Sequence, residues 1–245
     1  MIEVTGLTKL YGDFRAVRAL SFGVQPGEVL GLVGPNGAGK TTTLRCLSGI
    51  IPATEGSIRI CGHDVARSPL PAKQALAYFP DEPRLFDYLT VTQHLQFTAR
   101  LYQVRDAGPL TRHLLEELEL GDKADQLPGE LSRGMKQKLA IACGLLHQPR
   151  VMFFDEPLTG LDPYGIRRMK DTILRRAREG VAILISSHLL HLVEEICSHL
   201  LILKQGEKVA HGTLGEIRQR FAGFAPDASL EDVFFRATAD PPPGP

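Results

Sequence analysis

The stretch Gly34-Pro35-Asn36-Gly37-Ala38-Gly39-Lys40-Thr41 constrains this chain more than any other. It fits the pattern G-x-x-x-x-G-K-[ST]. Before it runs Val29-Leu30-Gly31-Leu32-Val33, an unbroken apolar segment such as a strand buried on both faces carries. After it, Thr43, Leu44, Leu47 and Ile50 predict an amphipathic helix. Strand, glycine-rich turn and helix in that order make a cradle for an anion. Glycines let the backbone wrap so that several N–H groups face one phosphate, and the helix start adds partial positive charge. Lys40 is expected to bring a mobile cation to the terminal phosphates and Thr41 to offer a hydroxyl to Mg²⁺. The expected nucleotide contacts run from Gly34 through Thr41 to Thr42.

Composition narrows the field. At roughly 150 residues per domain, 245 residues suit one large α/β unit or two domains. Lys plus Arg is 28 and Asp plus Glu is 28, which argues against a protein built to bind nucleic acid through accumulated positive charge. Trp is absent and aromatic residues are 7%, so a broad base-stacking surface is not expected either. The richest apolar stretch, Val181 to Val193, is interrupted by Ser186, Ser187, His188 and His191, well short of the ~20 apolar residues that span a bilayer. The start MIEVTGLTKLYG shows no basic segment followed by an apolar one, so no secretory signal is expected. Cys46, Cys61, Cys143 and Cys197 are widely spaced and read as reduced thiols. A cytoplasmic location is the expectation.

Period-two apolar residues at Ile2-Glu3-Val4 and over Ala16 to Val24 predict early strands, and Gly56 to Val65 reads as a hairpin arm turning at Gly62. From about Leu85 the character becomes helical. Val91, Leu95, Ala99 and Tyr102 repeat at helical spacing, as do Leu110, Leu114 and Leu118, with Gly108-Pro109 and Leu127-Pro128-Gly129 as breaks. β/α alternation then resumes with Val151 to Phe154, a helix near Tyr164 to Glu179, Val181 to Ser186, another helix, and Leu200 to Leu203. The predicted architecture is an α/β phosphate-loop NTPase core with a mainly parallel sheet, an N-terminal antiparallel β subdomain and an α-helical subdomain inserted at about 85–147. The main domain is placed at 1–218 and a short C-terminal extension at 219–238. The end, ADPPPGP over 239–245, is expected to be a disordered tail.

A phosphate loop alone does not separate kinase, GTPase and motor. Val151-Met152-Phe153-Phe154-Asp155-Glu156 does more. A buried strand of this kind delivers Asp155 from its end to the metal beside the phosphates. Glu156, diverging in direction from its neighbour, can polarise an attacking water. Between the two motifs stands Leu131-Ser132-Arg133-Gly134-Met135-Lys136-Gln137, just ahead of the helix Lys138 to Leu146.

Together these three motifs resemble the ATP-binding cassette (ABC) ATPase family, over nearly the whole chain from Ile2 to about Gly212. Thr159-Gly160-Leu161-Asp162 resembles the family's D-loop, and His188 its switch histidine. The resemblance implies that two cassettes close head to tail around two ATP molecules. Each ATP then lies between one chain's phosphate loop and the other chain's Ser132 and Gly134, which stand at a helix start and so offer a second anion site. It also implies that Tyr11 stacks on adenine, an interaction worth ~1–3 kcal/mol.

Two departures from the family pattern stand out. The serine–glycine motif usually has Gly where this chain has Arg133, and Gln where it has Met135. The Gln loop falls at Tyr78-Phe79-Pro80-Asp81-Glu82-Pro83, with Asp81 in the glutamine's place. An amide both donates and accepts, whereas an ionised carboxylate only accepts. Asp81 is expected as a metal-associated acceptor alongside Asp155 and Thr41. His188 and His191 lack a third ligand for a metal, and the basic run Arg167, Arg168, Lys170, Arg175, Arg176 and Arg178 reads as a solvated helix face.

The resemblance therefore implies an ATP-hydrolysing subunit of an exporter-type, ABC-2-like transporter. Glu156, His188 and Lys40 are its expected catalytic residues, and ATP and Mg²⁺ its cofactors. Transmembrane permease subunits and a second ATPase chain, identical or related, would be its partners, on the cytoplasmic face of the membrane. Two other readings compete. A non-transport cassette ATPase acting on ribosomes or DNA ends would carry two cassettes or a long coiled coil. A regulator without turnover would lack Glu156 or Lys40.

Overall fold

The chain opens on an antiparallel hairpin of β1 (Ile2–Tyr11) and β2 (Phe14–Val24), with Ile2 opposite Val24 and Tyr11 opposite Phe14. The computed structural model describes residues 1–158, 161–221 and 229–239. β3 (Val29–Val33) is buried at every residue, and α1 (Lys40–Leu47) leaves it through the glycine-rich turn. α1 stops before Ile50, contrary to the apolar spacing. Gly49 takes φ 65°, its N–H donates to the Cys46 carbonyl, and the Ile50 N–H donates to that of Arg45. This pair of bonds closes the helix as a Schellman cap and leaves Ile50 56% exposed.

β4 (Glu55–Ile60) and β5 (His63–Asp64) turn around Gly62 as expected, and β4 pairs with β1 to give an antiparallel sheet in the order β2-β1-β4-β5. α2 (Pro69–Gln74) and β6 (Leu76–Phe79) follow. Neither shows in the hydrophobic periodicity, since elements of 6 and 4 residues span too little chain for a repeat to emerge.

α3 (Val91–Leu101), α4 (Ala107–Glu117) and α5 (Arg133–Leu146) make up the helical stretch. α3 starts on a capping box in which the Gln93 N–H donates to Thr90 Oγ1 and the Thr90 N–H donates to the Gln93 side chain. Gly108 and Pro109 do not break α4 but lie in its first turn, where N–H groups have no intrahelical acceptor and proline is tolerated. α5 likewise starts earlier than Lys138, directly after Ser132.

β7 (Val151–Asp155), α6 (Pro163–Arg178), β8 (Ala182–Ser186), α7 (Leu190–Ile196), β9 (His199–Lys204) and β10 (Glu207–Thr213) complete the second sheet and its helices. α8 (Leu214–Phe221) runs across position 218, and α9 (Leu230–Thr238) ends the described chain. The expected tail lies outside the described residues except for Ala239, as do Thr159 and Gly160 of the D-loop segment.

The second sheet has the order β10-β9-β3-β8-β7-β6, parallel throughout except for the β9–β10 pair. Its side chains alternate between two cores. Val33, Phe154 and Ile185 join the core shared with the helical stretch, whereas Leu32, Phe153 and Leu184 join the core shared with the first sheet. Both faces are covered, which is why these strands read as continuous apolar runs. β6 and β7 lie side by side although α3, α4 and α5 intervene in sequence. α5 sits directly on this pair: a Cβ on Gly144 would come within 2.3 Å of the Phe79 ring, and Phe79 stacks on Phe154 at 4.6 Å.

The basic run of α6 is more than a solvated face. Arg168 pairs with Glu119 at 2.7 Å, Arg175 with Glu117 and Lys170 with Glu195. The carboxylates come from the end of α4, the turn just after it, and α7, so sequence proximity could not reveal them. Among the described residues no helix is long and apolar enough to cross a membrane.

Candidate nucleotide site

The spacing of glycines in the phosphate loop follows from contacts and backbone angles. A Cβ on Gly34 would lie 2.5 Å from the Leu203 carbonyl oxygen, and one on Gly39 would lie 2.5 Å from that of Ala16. Gly37 has open space around it but φ 79°, which side-chain-bearing residues rarely adopt. Among the described residues no side chain caps the start of α1, so its leading N–H groups are available to an anion. Lys40 is buried, with Nζ donating to the Gly34 carbonyl at 2.8 Å and to that of Pro35 at 3.3 Å. Burial pulls its ammonium below the ordinary lysine range, while the charges of Glu156 and Asp155 act in the other direction. The Ala16 contact also brings the β1–β2 hairpin against the loop. Tyr11, at the end of β1, is 49% exposed with the Lys9 ammonium 5.2 Å from its ring centre.

The parallel sheet delivers the second half of the site. Asp155, the last residue of β7, is buried, and Oδ1 accepts from Ser186 Oγ at 2.7 Å and Thr41 Oγ1 at 3.1 Å. Its Oδ2 accepts from the Tyr78 hydroxyl at 3.2 Å. Burial, then the Asp155 charge, pushes the Tyr78 phenol up to about 12, so it keeps its proton. Glu156 turns out of the strand with φ 53°, a left-handed conformation uncommon for a residue with a side chain. Its N–H donates to the Ser186 carbonyl at 3.1 Å. His188 holds its carboxylate: the His188 N–H donates to Oε2 at 3.2 Å, and ring Nδ1 lies 2.8 Å from the same oxygen.

Lys40, Thr41, Asp155, Glu156 and His188, predicted separately, thus meet at the ends of β3, β7 and β8. Sequence reasoning missed Ser186 and Tyr78. Ser186 carried a usable signal, as the polar last residue of an apolar strand, and the register sets it opposite Asp155. Tyr78 carries none, because the four residues of β6 are too few for a strand repeat to emerge.

Asp81 borders the same groove as Thr41 and Asp155, and its Oδ1 accepts from Arg133 Nη2 at 3.2 Å. Among the described residues no three His, Cys, Asp or Glu side chains converge on a point that could hold a cation. The donors that do meet, Thr41 Oγ1 and Asp155 Oδ1, are hard oxygens. One carboxylate and one hydroxyl beside a phosphate cradle suit Mg²⁺, which keeps several waters and takes phosphate oxygens for the rest.

Ser132 and Gly134 stand elsewhere, at the start of α5. Ser132 Oγ caps the helix by accepting from the Met135 N–H at 3.3 Å. A groove of about 840 Å³ separates the end of α1 from α3 and α5, walled by Arg45, Ile50, Phe86, Phe97, Tyr102 and His147.

The ABC transporter family model matches residues 17–159. The ABC-type transporter ATP-binding protein EcsA of Bacillus subtilis (strain 168) is 34% identical over 242 residues, covering 98% of this chain and 97% of its own. The Nod factor export ATP-binding protein I of Burkholderia pseudomallei (strain 1710b) is 40% identical over 213 residues, 86% of this chain and 70% of its own. A solved structure of an ATP-binding subunit of an ABC transporter superposes with a TM-score of 0.92 at 33% identity, covering 97% of this chain and 99% of that one. The motifs, the site they assemble and these likenesses agree: the chain belongs to the ABC transporter family, as one of its ATP-binding ATPase subunits.

Proposed function

We propose that this ATPase works as a head-to-tail pair, each ATP held by the phosphate loop of one copy and by Ser132 and Gly134 of the other, and that it drives export through separate membrane subunits. One observation carries the reading: the serine–glycine turn is open. Among the described residues a Cβ on Gly134 would meet nothing nearer than Leu161 Cδ2 at 3.7 Å, so their packing gives no reason for glycine. A phosphate approaching from a second chain gives one. The second chain is a copy of this one or a related cassette.

Within that pair, Tyr11 stacks on adenine and residues Gly34 to Thr42 wrap the phosphates. Lys40 moves from the loop carbonyls to the anion. Thr41 and Asp155 hold Mg²⁺, which when bound neutralises phosphate charge and orients the terminal group. Glu156 aligns the attacking water and accepts its proton, and His188 fixes the orientation of the Glu156 carboxylate. The export direction takes support from the export named in the Burkholderia relative. Residues 1–218 act as the cassette, with the insertion at about 85–147 and an extension at 219–238. The groove beside Tyr102 and Phe97 receives a segment of the membrane subunit, which places the chain on the cytoplasmic face.

Ser132→Arg tests the pairing, because the bulky side chain would enter only the neighbour's site. On a Glu156→Gln background, ATP should bind the monomer as before while the ATP-dependent dimer disappears from size-exclusion profiles. Loss of monomer ATP binding would overturn the assignment between chains.

A further inference from the structure

Asp155 is a buried carboxylate held by three neutral hydroxyls from three different elements. Ser186 of β8 and Thr41 of α1 share Oδ1, and among the described residues Tyr78 of β6 alone takes Oδ2. Among the described residues no Lys or Arg forms an ion pair with it, so these bonds orient the charge without neutralising it. Hydroxyls on both oxygens fix rotation of the carboxylate plane, as one bonded oxygen would not. For Thr41 and Asp155 to hold a cation together, the Thr41 hydrogen would have to turn away from Oδ1. Ser186 cannot act for orientation alone, because its Oγ also accepts from the Glu156 N–H at 3.2 Å. Tyr78 has no such second duty toward the hydrolytic residues. Tyr78 and Arg45 both border the large groove. Tyr78 therefore joins the groove wall to Asp155 at the phosphate site.

We infer that Tyr78 is a positioning residue of the ATPase, whose hydroxyl sets the Asp155 carboxylate so that the oxygen beside Thr41 faces the cation of MgATP. The inference rests on the metal role proposed above for Thr41 and Asp155. Partners that orient a metal ligand typically carry 10–100-fold in metal affinity. Tyr78 supplies one bond among three, so the lower end is expected.

The experiment uses the full chain and a non-hydrolysable ATP analogue, so turnover does not enter. Analogue binding is titrated against Mg²⁺, with Mn²⁺ followed by electron paramagnetic resonance as an independent reading. Tyr78→Phe keeps the ring and removes only the hydroxyl. It should raise the half-saturating Mg²⁺ concentration roughly 10-fold, leave analogue binding in EDTA within about 2-fold, and leave more of the sharp signal of free Mn²⁺ at the same total Mn²⁺. Asp155→Asn should shift the same curve further. If Tyr78→Phe superimposes on the wild type while Asp155→Asn shifts, Tyr78 does not position the ligand and the metal site stands. If Asp155→Asn leaves the curve in place, the metal reading itself fails and takes the inference with it. Equal weakening of binding with and without Mg²⁺ in Tyr78→Phe would make the tyrosine a packing residue and overturn the proposal.

Discussion

Asp81 and Arg133, the positions where the Gln loop and the serine–glycine motif of this chain depart from the family pattern, hold each other at 3.2 Å. The contact spans 52 residues of sequence and joins the loop after β6 to the first turn of α5. Its physical logic is local. A cation in the first turn of a helix opposes the positive end of the macrodipole, and a carboxylate beside it offsets that cost. Asp81 supplies the carboxylate because the first turn of α5 has no acidic residue of its own.

Both side chains are about half exposed, at 54% for Arg133 and 46% for Asp81, so the pair is a weak tie. A double-mutant cycle with Asp81→Asn and Arg133→Ala, read by urea unfolding, should give a coupling of about 0.2–1 kcal/mol. That coupling should fade toward zero in 1 M salt, where the screening length falls to about 3 Å. Magnesium titration of ATPase activity should be the same for wild type and Asp81→Ala. A loss of magnesium affinity in Asp81→Ala would place Asp81 at the metal.

Glu156 and His188 form the second testable pair. Glu156→Gln should bind ATP normally but hydrolyse it roughly 10²–10⁴-fold more slowly, since the amide cannot take the water's proton. His188→Ala removes the ring at Nδ1 but keeps the backbone N–H that also meets Oε2. Its loss of kcat should therefore be smaller than that of Glu156→Gln, with KM for ATP little changed. A His188→Ala enzyme as slow as Glu156→Gln would mean that the histidine itself acts on the reacting groups.

Much of this site was legible in the sequence, and the reason is geometric. Parallel strands end at one edge of a sheet, so motifs that follow apolar runs must converge there. Gly34–Thr41, Asp155-Glu156 and His188 all follow such runs. What stayed hidden depends on side chains meeting across elements. The Tyr78–Asp155 bond required knowing that β6 lies beside β7, and the sequence separates those strands by three helices. Arg133 and Asp81 look like two unrelated departures until the fold sets them together. Pro109 misled for another reason, since proline breaks helix interiors yet is tolerated in the first turn.

Lys40 tests the cradle itself. Its ammonium already sits on two loop carbonyls and, on the proposed role, would move to a phosphate without being stripped of water anew. Lys40→Ala should lose about 1.5–3 kcal/mol of ATP affinity, the range for a hydrogen bond to a charged partner. Isothermal titration with ATP reads this directly. An unchanged dissociation constant would move the nucleotide away from Gly34–Thr41.

His147 gives the fold a dependence on acid. Its ring stacks on Tyr102 at 3.9 Å, and Nε2 lies 3.1 Å from the Leu76 carbonyl oxygen, which it meets as a donor. The other nitrogen, Nδ1, is buried with no partner among the described residues, so charging the ring would bury an N–H without an acceptor there. Burial accordingly lowers the pKa of His147 from 6.5, against a smaller opposing effect of the Leu76 bond. Below pH 6.5 the unfolded chain then binds a proton that the folded chain refuses, so stability falls as pH falls through that window. The slope is at most about 1.36 kcal/mol per pH unit for one group, and it ends once pH drops below the folded pKa. Urea midpoints at pH 7.5 and 5.5 should show the loss in the wild type. In His147→Gln the loss should be smaller, although that variant starts less stable for want of the aromatic stack. An identical pH difference in both proteins would place the acid sensitivity on another group.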